Sequence, residues 1–191
     1  HLVRYLMEKR SNRERDLIYT IRNKCRVCYT CVRECPAKAI KIINGQAEVI
    51  NERCIACGNC IKVCSQGAKV YLDTKGAVYQ MLENGNKNVA IVAPSFPAEF
   101  SEIEDHQVLV SMIRALGFDV VAEVSFGADL VAKRYNELIL RNGTKRYISS
   151  DCPAIVAYVQ RYHPALVDNL APVASPMVAM SRVMRQAHGE Q

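Results

Sequence analysis

The spacing of apolar residues divides the chain into three stretches. In residues 1–23, Leu2, Tyr5 and Leu6 and then Leu17, Ile18 and Ile21 flank a charged stretch. The pattern fits one face of a helix and predicts a helical lead-in or linker. Residues 24–73 contain two short β-rich pieces, 39–43 and 68–72, and Asn44-Gly45 predicts a tight turn between two strand-like segments. Asn84-Gly85-Asn86 breaks the chain. Beyond it, residues 89–93 read as a buried strand ending at Pro94, 108–116 as a helix stopped by Gly117, and 118–124 as a strand. Residues 128–140 read as an amphipathic helix stopped by Asn142-Gly143. A short strand over 147–150, a helix over 153–162 with proline first, and a helix from Ser175-Pro176 to about Ala187 complete the pattern. Strands alternating with helices predict an α/β unit over 86–191 with a largely parallel sheet. In such sheets ligands collect at the carboxyl ends of strands, here Ala93-Pro94-Ser95 and Ser150-Asp151-Cys152.

Cysteine spacing adds the chemistry. Cys25, Cys28, Cys31 and Cys35 repeat as Cys54, Cys57, Cys60 and Cys64, each run reading C-x2-C-x2-C-x3-C. This is the run that holds a [4Fe–4S] cube in bacterial ferredoxins, three thiolates on a loop gripping one cube and the fourth reaching the other. The spacing therefore assigns Cys25, Cys28, Cys31 and Cys64 to one cluster and Cys35, Cys54, Cys57 and Cys60 to a second. Disulfides and structural zinc are the competing uses; zinc motifs usually pair two CxxC units across a longer gap. Residues 24–73 are thus expected to form an α+β, ferredoxin-like 2[4Fe–4S] domain of two pseudo-symmetric halves, with Ile, Val and Ala between the cysteines shielding the cubes.

The net charge of +6 is uneven. Residues 1–24 carry net +4, residues 25–73 net +3 and residues 74–191 net −1. Each cube with its four thiolates brings a net charge of about −2. The neighbouring Lys and Arg can offset that charge, or steer an acidic, ferredoxin-type or other low-potential carrier toward the clusters. No nucleic-acid partner is expected, no apolar run is long enough to span a bilayer, and no Walker-type or G-x-G-x-x-G motif supports nucleotide binding. Thiolates that ligate cubes need a reducing compartment, so the expected location is cytoplasmic. His106 and His163 read as surface residues.

Beyond the cysteine runs, a spaced set of short motifs carries a resemblance. Val92-Ala93-Pro94-Ser95, Gly117-Phe118-Asp119-Val120-Val121, Phe126-Gly127-Ala128-Asp129-Leu130, Cys152-Pro153-Ala154, Tyr162-His163-Pro164 and Ser175-Pro176 resemble the amino-terminal part of [FeFe]-hydrogenase large subunits. The resemblance covers residues 24 to about 186 and implies a ferredoxin-like domain followed by the first half of the catalytic domain. It implies that Cys152 matches a ligand of the six-iron active-site cluster and that Ala93, Pro94 and Ser95 match the turn facing its di-iron part. It also implies that Asp151 replaces a proton-relaying cysteine and that Glu137 matches one of two glutamates on the proton route. Arg134 replaces the other glutamate, and Met177 replaces a Gln after the Ser-Pro pair.

Those departures touch proton delivery, which needs titratable groups of suitable pKa, and Arg134 is a permanent cation. The family's three further cluster ligands would lie downstream, and no cysteine follows Cys152. The chain therefore reads either as a truncated piece of a longer protein, the favoured reading, or as a domain that has lost its catalytic half; its first residues read as a connector or part of a tag. Two functions follow. One is an electron-transfer module of a hydrogenase-like oxidoreductase, relaying single electrons through two clusters. The alternative is a sensory H2- or redox-responsive protein coupled to a downstream PAS or signalling domain, without fast turnover.

Overall fold

The structure, a computed structural model, describes residues 17–141 and 143–189. It forms two compact units that do not follow sequence order. The first runs to Thr74 and takes up Pro153–Ala165; the second comprises Lys75–Cys152 and the chain from Leu166 onward.

The first unit holds β1 (Ile18–Thr20), α1 (Thr30–Glu34), β2 (Ile40–Ile43), β3 (Gln46–Val49), α2 (Asn59–Lys62) and β4 (Lys69–Tyr71). β2 and β3 pair antiparallel, Ile40 opposite Val49, and β1 pairs antiparallel with β4, Ile18 opposite Tyr71 and Thr20 opposite Lys69. Asn44 and Gly45 turn the β2–β3 hairpin with φ of 48° and 69°. That is the all-positive geometry of a type I′ turn, which Asn-Gly adopts at little cost. The predicted lead-in helix does not extend to Ile18–Thr20. Ile18 is 3% exposed and alternates inward against β4, so pairing with the ferredoxin-like unit overrides the helical pattern. The rest of that prediction lies outside the described residues.

The two halves are built on one template with a 29-residue offset, from Cys25 to Cys54. Val27 and Ala56, Tyr29 and Gly58, and Lys38 and Gly67 occupy matching positions, and all six have positive φ. Gly58 takes its φ of 78° without the strain that a side chain such as Tyr29 carries at the matching position, and a Cβ there would push the exposed Tyr71 ring aside. The core gathers Ile18, Cys31, Cys35, Ala37, Ala39, Ile40, Ala47, Ile55 and Cys60. Each buried isoleucine stabilises by roughly 1.5–3 kcal/mol. Against this core pack Ala157, Tyr158 and Tyr162 of α6 (Pro153–Tyr162), which belongs to this unit although it lies about ninety residues further along the chain.

The second unit contains α3 (Lys75–Glu83), β5 (Val89–Val92), α4 (His106–Ala115), β6 (Val120–Glu123), α5 (Val124–Arg141) and α7 (Pro176–His188). β5 and β6 pair in parallel, Val89 opposite Val120. Asn88 fixes the start of this pair: its amide donates to Asp119 Oδ2 at 2.6 Å, and its carbonyl accepts from Asp119 N at 2.9 Å. The strand predicted as buried is only half-buried, because a two-stranded sheet covers it along one edge. The predicted strand at 147–150 is reduced to one bridge, Ile148 with Leu170, also parallel. α5 begins earlier than predicted, taking in Gly127. There a Cβ would overlap the Pro176 carbonyl and come within 3.0 Å of Met180, so glycine is what allows α7 to lie this close. Asp105 caps α4, accepting from Gln107 N at 2.8 Å, and His106 is exposed at that helix start.

Candidate metal centres

In the first unit, eight cysteines surround two cavities. One is lined by Cys25, Cys28, Cys31 and Cys64; the other by Cys35, Cys54, Cys57 and Cys60. Each set takes three thiols from one run and the last thiol of the other. The backbone explains why. The left-handed residues on either side of Cys28 and of Cys57 wrap each loop around its cavity. The short helix that follows then carries the fourth cysteine away, toward the other half. Among the described residues, no three Cys, His, Asp or Glu side chains converge on a single-ion site. The thiols stand around spaces instead, which is what a cube with four corner irons requires.

Backbone amides prepare those sulfurs for charge. Ala39 N donates to Cys35 Sγ and Ala68 N to Cys64 Sγ, both at 3.3 Å, at equivalent positions of the repeat. Ala56 N donates to Cys54 Sγ at 3.4 Å. Such N–H···S bonds favour the more negative, reduced form and are one of the levers on cluster potential. Burial pushes the Cys31 thiol up and the Cys60 thiol up to about 11, with the Lys69 ammonium pulling both back. At exposed Cys28 the Thr30 hydroxyl and amide lower the pKa. Cys64 is pushed up by burial, but amide donation from Lys69, Ala68 and Gln66 outweighs this and its pKa is lowered.

Sequence reasoning missed Lys69. It is 2% exposed and its ammonium donates to Thr20 Oγ1 and, at 2.7 Å, to the Ala47 carbonyl. Burial lowers its pKa, while the thiolates of Cys31, Cys60, Cys25 and Cys64 raise it. A lysine within a β-rich piece signals a solvated edge, so nothing in the pattern marks it as buried. The pattern predicts α6, but not its place. Tyr162 Oη lies 2.8 Å from the Ala37 carbonyl and 2.9 Å from that of Arg53, and Arg161 donates to the carbonyls of Asn51, at 3.1 Å, and Cys54. These bonds brace the turns next to Cys35 and Cys54.

In the second unit, Ala93-Pro94-Ser95 follows the end of β5, Ala93 half-buried and the other two exposed, and Cys152 is exposed immediately before α6. Asp151 is half-buried; it accepts from Ser149 Oγ at 3.0 Å and from Tyr135 Oη at 3.4 Å, while Ser150 N donates to Tyr135 Oη at 3.1 Å. Ser150 Oγ lies 2.7 Å from the Ala171 carbonyl and 2.8 Å from that of Val173, its single proton serving one at a time. Glu137 accepts from Arg134 at 2.8 Å. Asp151 and Glu137 share no hydrogen bond. Met177 is exposed.

A two-cavity, eight-thiol unit of this kind defines an iron–sulfur protein, and residues 17–65 match the 4Fe-4S dicluster domain. Residues 86–191, more than half of the chain, match the iron only hydrogenase large subunit, C-terminal domain, and the chain belongs to that family. It is 29% identical to iron hydrogenase 1 of Clostridium pasteurianum over 85% of this chain and 33% of the relative. It is 23% identical to an NADP-reducing hydrogenase subunit of Solidesulfovibrio fructosivorans, over 88% of this chain and 34% of that one. A 44-residue stretch is 46% identical to part of an ion-translocating oxidoreductase complex in Methanosarcina acetivorans, over 23% of this chain and 17% of the relative. The chain spans about a third of the length of the hydrogenase relatives it matches. No helix among the described residues is long and apolar enough to cross a membrane.

Proposed function

We propose that this chain is an electron-transfer module built on two [4Fe–4S] clusters, the first held by Cys25, Cys28, Cys31 and Cys64 and the second by Cys35, Cys54, Cys57 and Cys60. It serves a hydrogenase-like domain in a longer, cytoplasmic protein and exchanges electrons with a low-potential carrier. The observation that carries this reading is the partition of eight thiols into two four-thiol cavities that exchange their fourth members. Each cube, when bound, supplies a one-electron couple. The chain holds the irons through thiolates, offers N–H donors to sulfur and keeps water from the second cavity with Ile18, Ile40 and Ile55. Anaerobic reconstitution with iron and sulfide tests it: about eight irons per chain are expected from two four-iron cubes, and about four would overturn it. Cys152 would anchor the active-site cluster in the full protein, so Cys152→Ser is expected to leave the eight-iron yield of this chain unchanged.

A second reading, sensing rather than fast turnover, draws support from the proton-route positions. Glu137 is engaged by Arg134, and Asp151 is held by Ser149 and Tyr135, so the two titratable groups sit in separate networks. Steady-state H2 oxidation by the full-length protein with Arg134→Glu tests it. A marked gain in rate supports an impaired route, and an unchanged rate sinks this reading.

A further inference from the structure

The two cavities are alike in their thiols and differ at several lining positions, of which one exchanges a buried charge for a buried apolar side chain. At the 29-residue offset, Lys69 corresponds to Ile40. Both are buried, 2% and 6% exposed, and each lines the cavity that receives the last cysteine of its own run, Lys69 the first and Ile40 the second. The ammonium of Lys69 is held behind a largely apolar cavity surface: Thr20, its registered neighbour across β1–β4, accepts from it and donates to the Ala47 carbonyl. The corresponding wall of the second cavity contains Ile18, Ile40 and Val49.

A buried ammonium is costly unless an anion compensates it. Lys69 has two neutral acceptors and no carboxylate partner among the described residues. The anion that its cavity is built to hold is a four-thiolate cube of about −2.

We propose that Lys69 sets the two clusters apart, its buried charge making the cube held by Cys25, Cys28, Cys31 and Cys64 the easier of the two to reduce. This rests on the two-cluster reading above. Reduction adds one electron and no proton to a cube, taking its site from about −2 to about −3, and a nearby cation favours the more negative state. Lys69 reaches the second cube through Cys60 alone, against Cys31, Cys25 and Cys64 of the first, and Ile40 adds no charge there. An electron arriving in the module therefore settles on the first cluster.

The test is an EPR-monitored redox titration of the reconstituted chain with dithionite as reductant. Wild type should show two resolved one-electron waves, and Cys57→Ser, which disturbs the second cube, should shift the lower one. Lys69→Gln should move the upper wave down by at least ~59 mV, a tenfold change in a one-electron equilibrium, with the lower wave moving less. Lys69→Arg, which restores the charge, should recover the separation. Both waves unchanged in Lys69→Gln at eight irons would overturn the proposal while leaving the two-cluster reading intact. Four irons in wild type would overturn that reading instead. If Lys69→Gln does not hold its clusters, wild type still decides: two cubes reducing in a single unresolved wave refute the inference.

Discussion

Tyr162 Oη donates to the Ala37 carbonyl at 2.8 Å, a bond between residues 125 positions apart that ties α6 to the turn behind Cys35. The same hydroxyl lies 2.9 Å from the Arg53 carbonyl, next to Cys54. Tyr162→Phe keeps the ring, and its stacking on Tyr158 at 5.3 Å, but leaves these carbonyls without their donor. A loss of about 1–3 kcal/mol is expected. Chemical denaturation of the loaded protein, followed through cluster absorbance, should report it as an earlier midpoint.

Exchange of the fourth thiol makes a pointed prediction. Cys64 follows Cys60 in sequence but shares its cavity with Cys28. Cys64→Ser should therefore alter the same EPR signal as Cys28→Ser and spare the one altered by Cys57→Ser. If Cys64→Ser and Cys57→Ser disturb one common signal, each run would be holding its own cube.

Burial raises the Cys60 thiol from 9.0 to about 11. In the metal-free chain the folded thiol thus holds its proton more tightly than the unfolded one. Stability from this group is complete below pH 9 and is lost as pH rises toward about 11, because deprotonation favours the unfolded chain. Urea midpoints of the iron-free protein should fall across that window. The loaded protein should resist the change, since its ligands have already given up their protons to metal binding.

Gly127 lies where α5 meets α7, its Cβ position overlapping the Pro176 carbonyl. Gly127→Ala gains helix propensity but forces the helices apart. A net loss of about 1–3 kcal/mol is expected, as for other overpacked cores. A lower melting temperature at unchanged iron content would place the damage in the second unit; a higher one would mean that α7 shifts freely.

The ferredoxin-like cysteine pattern was legible because metal geometry dictates spacing, and the Asn44-Gly45 hairpin because its φ values demand those residues. The helices starting at Pro153 and Pro176 were equally plain, each marked by a proline at the first turn. The strand Ile18–Thr20 was not. Three residues are too few to show a period, and their partner lies about fifty positions away. α3 buries no residue, so no core imposes an apolar face on its sequence. Lys69 could have been found by aligning the repeat on itself and asking what replaces Ile40, a comparison between halves rather than along the chain. The placement of α6 had no local signal, since Tyr158 and Tyr162 are ordinary helix residues until something meets them.

That placement interleaves the units. The chain leaves the cysteine-rich body after Thr74, folds most of another, and comes back at Pro153 to finish the first. No single cut can release an intact ferredoxin-like piece. A fragment ending at residue 74 would surrender the tyrosine and arginine donors that brace the walls of the second cavity. The redox body would then depend, for its own closure, on a segment made more than seventy residues later.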